Sequence, residues 1–201
     1  MNCSANRLDH HSVEGSIVKI ILYKLPLSLL ILFLLSCLTQ GTEIKSKAFN
    51  FSAEDLDGNK IELKTSLDHG PVLISFWATH CKPCIQELNQ IQKFYQEYKK
   101  KGLEVLAIDV DGPRSISAVK PKVKGLKWEF PVLMDTNKDI YRKYQVLGIP
   151  HTVIVDRSGD IRYTHTTYRS GDEKLIQKKL DELLEEQPNE NDDKKGEKSG
   201  E

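Results

Sequence analysis

Neither sign of charge dominates this sequence: lysine plus arginine and aspartate plus glutamate number 29 each. The field that would gather a nucleic acid or a strongly charged partner is therefore missing. The chain has no internal repeat and no glycine-rich phosphate loop. Its longest apolar stretch, Leu25 to Leu35, falls short of the roughly 20 residues a helix needs to cross a bilayer. Hydrophobic residues make up 39% of the 201 positions, enough for the core of one domain and too few for a multispan membrane protein. Cysteine is scarce. Of the four, Cys3 and Cys37 lie in or beside the apolar leader, which leaves Cys81 and Cys84 in the body of the chain. Zinc would want a second ligand pair. Haem attachment would want a histidine after the second cysteine, where Ile85 stands. Asp109, Asp111 and Asp135 offer no closed ligand set, so no metal is expected.

What is present is Cys81-Lys82-Pro83-Cys84, two thiols two residues apart after an apolar run, a spacing suited to a reversible disulfide. Val72 to Trp77 reads as a buried strand, and Ile85, Leu88, Ile91, Tyr95 and Tyr98 then recur at helical spacing. The cysteines thus fall at a strand-to-helix junction, where the dipole and free amides of the helix start favour a thiolate. Cys81 is the expected nucleophile. Cys84, one turn inside the helix and less exposed, is the expected resolving thiol. An inert structural disulfide is the alternative, but it leaves Pro83 unexplained, a residue suited to a first helical turn because its missing amide costs nothing there. His80 and Lys82 are either cations that favour the thiolate or solvated loop residues.

Trp77-Ala78-Thr79-His80-Cys81-Lys82-Pro83-Cys84 resembles the active-site segment of the thioredoxin superfamily. Farther along, Phe130 to Asp135, Tyr144, Gly148-Ile149-Pro150 and Ile154-Val155-Asp156 with Gly159 resemble the TlpA/ResA-like thiol-disulfide oxidoreductases of the bacterial cell envelope, which are related to the AhpC/TSA redoxins. The resemblance runs from about Phe49 to Glu186. It implies an α/β, thioredoxin-like fold with a central mixed sheet flanked by helices, an N-terminal β-hairpin and a central inserted helix. It also implies an enzyme without a cofactor, acting on protein disulfides or dithiols and fed by a membrane electron-donor thiol protein, with reduction of apocytochrome c as one such role. A monomer is expected.

The same resemblance points to individual residues. Glu87, on the helix face of Cys84, matches an acid that in ResA-like proteins tunes the cysteines or relays a proton to the inner thiol; otherwise it merely complements the helix dipole. Pro150 matches a cis proline that faces the disulfide, while the backbone just before it pairs with an extended substrate; otherwise it is a trans proline opening a strand. Trp77, His80, Lys82, Pro83, Ile149 and His151 are the implied substrate contacts. His80 and His151 depart from the residues common in the family at those places, which bears on substrate choice. Two other functions use the same cysteines. A thiol peroxidase would carry threonine or serine three residues before the first cysteine, where Ala78 stands. A non-catalytic envelope module would hold a metal or haem with them.

The N-terminus reads as an address. Lys19 and Lys24 precede the apolar run, and Leu34-Leu35-Ser36-Cys37 resembles a bacterial lipobox, making Cys37 a lipidation site on a periplasm-facing, membrane-attached protein. The alternatives are an uncleaved anchor and a chance cysteine. The expected organisation is a leader or anchor over 1–37, a linker over 38–47, a thioredoxin-like domain over 48–186 and a disordered charged tail over 187–201.

Within the domain, Phe49 to Phe51 and Ile61 to Leu63 are expected to pair around Asp57-Gly58-Asn59. The helix from Cys84 to about Lys100 ends at Lys101-Gly102, and a strand over Leu103 to Val110 follows. Pro113 to Lys124 is an inserted helix with an irregular end. A strand over Val132 to Met134, a helix over Lys138 to Tyr144 and a hairpin of His151 to Asp156 with Ile161 to His165 follow. Ser170 and Glu173 form a capping box for a last helix burying Leu175, Ile176, Leu180, Leu183 and Leu184. Tyr163, His165 and Tyr168 read as packing residues.

Overall fold

The structure, a computed structural model, describes residues 46–186. The leader, the Cys37 lipobox, most of the linker and the charged tail lie outside the described residues. Among the described residues no helix is long and apolar enough to cross a membrane.

Val72–Trp77 (β3) is buried at every position, as a run of apolar side chains interrupted only by Ser75 demands when both sheet faces are covered. It lies at the centre of a five-stranded sheet. Parallel neighbours on one side are Glu104–Asp109 (β4) and then Val132–Met134 (β5); antiparallel neighbours on the other are His151–Val155 (β6) and then Ile161–Thr166 (β7). This is the α/β mixed sheet of the thioredoxin-like fold. Gly70 and Gly102 meet where the chain enters β3 and β4. A Cβ on Gly70 would lie 2.4 Å from the Gly102 carbonyl oxygen, so side chains are excluded from this crossing.

Ser52–Glu54 (β1) and Lys60–Glu62 (β2) form the antiparallel hairpin, nearer its turn than the sequence reading has it. Asp55 explains the shift: its Oδ1 accepts from the N–H groups of Asp57 and Asn59, and Gly58 has φ +85°, which draws the strands in close to the turn. Leu63, expected to end a strand, instead starts the short helix Leu63–Leu67 (α1), which buries Leu63 and Leu67 one turn apart.

Lys82–Lys100 (α2) starts two residues before the expected position because Cys81 is its N-cap. It buries Cys84, Glu87, Leu88, Ile91, Phe94, Tyr95 and Tyr98 along one stripe. Ile116–Leu126 (α3) is the inserted helix and continues through Pro121, with Val119 its buried anchor. Asp139–Lys143 (α4) is held by Asp135, whose carboxylate oxygens accept from the N–H groups of Ile140 and Tyr141 at 3.1 and 2.8 Å. Tyr141 and Tyr144 then pack on Phe76, from the face opposite α2.

Glu173–Glu185 (α5) buries Ile176, Leu180 and Leu183. Its Tyr98 contact, a hydroxyl donating to Asp181 at 2.7 Å, sets it beside α2. Two expectations fail here. Leu175 is 53% exposed, because the buried stripe runs through its neighbour Ile176. The Ser170–Glu173 capping box does not form: the N-cap is Asp172, reached through Gly171 at φ +108°. Glu173 turns back to accept from the Gly171 N–H and the Tyr168 hydroxyl.

Candidate active site

The end of β3 delivers the chain into a tight turn, where the Cys81 N–H donates to the Ala78 carbonyl at 3.0 Å. Cys81 then caps α2: its Sγ accepts from the Cys84 N–H at 3.3 Å, and its carbonyl accepts from the Ile85 N–H at 3.1 Å. Pro83 sits in the first turn, where no carbonyl waits for its missing N–H. Cys81 and Cys84 are joined by a disulfide with Cα atoms 5.3 Å apart. Cys84 is fully buried and Cys81 is 8% exposed, so the outer sulfur is only marginally open while the pair is oxidised. The sulfur that caps the helix faces its positive end, the setting that stabilises a thiolate once the disulfide opens.

The Ile149–Pro150 peptide is cis. Because β6 runs antiparallel to β3 with His151 opposite Phe76, this peptide lies at the sheet end from which the cysteine loop emerges. Ile149 is half-buried, while His80, Lys82 and Pro83 are exposed.

Two expected substrate contacts belong to the core instead. Trp77 is wholly buried, its ring edge-on to Trp128 with centroids 4.8 Å apart. It is the last residue of a strand covered on both faces, so it supports the loop from below. His151 is 7% exposed; its Nδ1 is 2.8 Å from the Thr166 hydroxyl and its ring packs on Phe76. Burial, followed by the charge of His165, lowers its pKa and keeps the ring neutral.

Glu87 lies at the bottom of the site. It is fully buried under the first turns of α2, and its Oε2 accepts from the hydroxyls of Ser75 on β3 and Thr152 on β6, at 3.3 and 3.0 Å. Its Oε1 has no hydrogen-bond partner. Burial raises its pKa to about 7 against the pull of those hydroxyls, so a carboxyl that is ordinarily ionised holds its proton up to neutral pH. The helical spacing that places Glu87 on the face of Cys84 was visible in the sequence; the hydroxyls that receive it were not.

Asp109 and Asp111, which the sequence reading weighs only as metal ligands, lie beside the loop in the structure. Asp109 is fully buried and Asp111 is 3% exposed. Asp111 Oδ2 accepts from the Thr79 N–H at 2.7 Å, and its Oδ1 is 3.5 Å from His80 Nδ1. The available signal was their position at the carboxyl end of the strand next to β3. Asp135, the third acid, anchors α4. Among the described residues no three His, Cys, Asp or Glu side chains converge as metal ligands.

This arrangement has known counterparts. A model of the AhpC/TSA family matches residues 44–164. The thiol-disulfide oxidoreductase ResA of Bacillus thuringiensis subsp. konkukian is 40% identical over 119 residues, covering 59% of this chain and 67% of that protein. ResA of Bacillus subtilis is 34% identical over 116 residues, covering 58% and 63%. Among solved structures, a thiol:disulfide interchange protein DsbE from Chlorobium tepidum superposes with a TM-score of 0.65 at 26% identity, over 70% of this chain and 96% of that one. A thioredoxin-like protein from Porphyromonas gingivalis gives a TM-score of 0.58 at 35% identity, over 68% and 91%. The chain belongs to the AhpC/TSA family and stands among its thiol-disulfide oxidoreductases of thioredoxin-like fold.

Proposed function

We propose that the protein reduces disulfides in other proteins at the bacterial cell envelope, with Cys81 as the attacking thiolate. The observation that carries this reading is the cap itself: Cys81 Sγ accepts the Cys84 N–H at the head of a 19-residue helix. In the dithiol form Cys81 attacks one sulfur of a substrate disulfide, forming a mixed disulfide and expelling one substrate thiolate. Cys84 then loses its proton to Glu87 and attacks Cys81 Sγ. The ring closes, the second substrate thiolate leaves, and two electrons have passed to the substrate. A membrane thiol protein returns them by the same exchange in reverse.

The backbone at Ile149, just before cis Pro150, is where an extended substrate segment would pair, with His80, Lys82 and Pro83 bordering it. The resemblance to ResA-like proteins supports the reducing direction and cytochrome c maturation as the setting. The leader and the Cys37 lipobox support attachment to the membrane with the domain facing the periplasm.

Changing Cys84 to alanine tests this directly. The variant should accumulate mixed disulfides through Cys81 with envelope proteins that carry paired cysteines, seen as adducts that dissolve on adding dithiothreitol. A variant that accumulates none, while the wild type turns over a model protein disulfide, would rule out Cys81 as the attacking group.

A further inference from the structure

The exit of β4 carries two buried carboxyl groups that the exchange chemistry leaves unused. Asp109 lies opposite Trp77 in the β3–β4 register, on the sheet face that also carries Ser75 and, through it, Glu87. The Asp111 N–H donates to Asp109 Oδ1 at 3.1 Å, while Asp109 Oδ2 is buried with no hydrogen-bond partner. Asp111 directs both of its oxygens at the redox loop, to the Thr79 N–H at 2.7 Å and toward His80 at 3.5 Å. Thr79 and His80 are the two residues before Cys81. The position of the capping sulfur therefore depends on a contact made by Asp111, and Asp111 is backed by Asp109.

We infer that Asp109 is a positioning residue whose proton determines how firmly Asp111 holds the Thr79–His80 segment, and through that segment the poise of Cys81. The inference rests on the reading of Cys81 as the attacking thiol. While Asp109 is neutral, Asp111 is the only negative charge at the strand exit and is free to accept from the loop. Once Asp109 ionises, two carboxylates one residue apart in a buried setting repel each other, and the hold on Thr79 weakens. Burial, then the neighbouring charge of Asp111, raises the Asp109 pKa to about 8. Burial alone would raise Asp111 as well, but the bonds from Thr79, then the interaction with Asp109 and the charge of His80, bring it below the ordinary carboxylate value. Among the described residues the titratable group in contact with Asp109 is Asp111, from its own strand exit; His80 reaches it only through Asp111, and Glu87 of α2 is bound to Ser75 and Thr152 instead. Trp77 and Trp128, packed above Trp77's strand end, bring no charge.

The test uses the full-length oxidised protein, in which the cysteines do not titrate, and follows the Thr79 backbone amide by NMR and hydrogen exchange from pH 5 to 10. The wild type should show a step near pH 8, with Thr79 protection falling at least tenfold across it. Glu87→Gln should keep that step and Asp109→Asn should remove it. Asp111→Ala, which removes the acceptor, should lose the protection at every pH and, in the reduced protein, lower the pH at which Cys81 becomes reactive to iodoacetamide, because a negative charge near the thiolate has gone. The wild-type and Glu87→Gln titrations decide the matter even where Asp109→Asn fails to fold. A Thr79 amide without a step near pH 8, or a step that survives Asp109→Asn, overturns the inference and leaves the proposed exchange untouched. An ordinary Cys81 reactivity in the reduced wild type would instead remove the reading on which the inference rests.

Discussion

Replacing Cys81 with serine should reduce the turnover of a model protein disulfide to the uncatalysed rate of the assay's thiol. The size of this loss is not explained by ionisation alone. A free cysteine with a pKa of about 8.5 is about 3% thiolate at pH 7, and one lowered to about 7 is half ionised, a gain of about 16-fold in the reactive form. Nucleophilicity falls with pKa, with a Brønsted slope of about 0.4–0.5, so the net gain in attack is only about threefold. The helix cap contributes more as a stabiliser of Cys81 when it leaves: during re-reduction the donor's second thiol attacks the donor sulfur of the mixed disulfide and expels Cys81, and a poised Cys81 leaves readily. A serine hydroxyl loses both parts, since it neither attacks a disulfide at neutral pH nor forms one. Insulin reduction measured with a fixed thiol donor reads the effect. A Cys81→Ser variant that retains a tenth of the wild-type rate would show that exchange proceeds through another group.

Glu87→Gln should make the folded protein more stable at and above neutral pH, by up to about 3 kcal/mol, while leaving it unchanged below about pH 4.5. The raised pKa of Glu87 fixes the sign. Its carboxyl binds a proton more tightly when folded, at about 7, than at its ordinary 4.5. Stability from this group is therefore intact below pH 4.5 and is lost as the pH climbs through 7, where the wild type must hold a charge in a site with no countercharge and an unpartnered Oε1. Glutamine keeps the volume, accepts from the Ser75 and Thr152 hydroxyls as the neutral acid does, and never ionises. Urea unfolding of the two oxidised proteins at pH 4 and pH 8 measures the difference. In the reduced protein the same change should shift the titration of Cys84, because its proton loses its acceptor. Equal stabilities at pH 8 together with an unchanged Cys84 titration would assign Glu87 to the helix dipole alone.

The parts of the fold legible in the sequence are those fixed by one dominant pattern. The apolar run of Val72–Trp77, interrupted only by Ser75, could only be a strand buried on both faces, and the stripe from Leu88 to Tyr98 could only be a helix packed on it. The boundaries that moved were decided by local contacts and one backbone turn: Asp55 tightening the hairpin turn, Cys81 taking the cap of α2, and Gly171 turning the chain so that Asp172 replaces Ser170 at the head of α5. No periodicity carries such contacts.

The site divides along the same line. Cys81, Cys84 and Glu87 share one local element, so spacing alone sets their relation. Asp109 and Asp111 reach the loop only through the β3–β4 register, and an acid at a strand end looks the same in sequence whether it faces water or a buried amide. Trp77 and His151 were misplaced for the reverse reason. Each lies in a strand buried at every position, so neither face of the strand brings its side chain to the surface.

The central claim is that Cys81 is a sulfur poised by the helix it caps. The most direct measurement is the pH dependence of iodoacetamide modification in the fully reduced protein, with each cysteine followed separately by peptide mass. The account expects Cys81 to be modified first, with a midpoint well below the ~8.5 of a free cysteine, and Cys84 to lag far behind. A Cys81 midpoint at that ordinary value, or Cys84 reacting first, would contradict it.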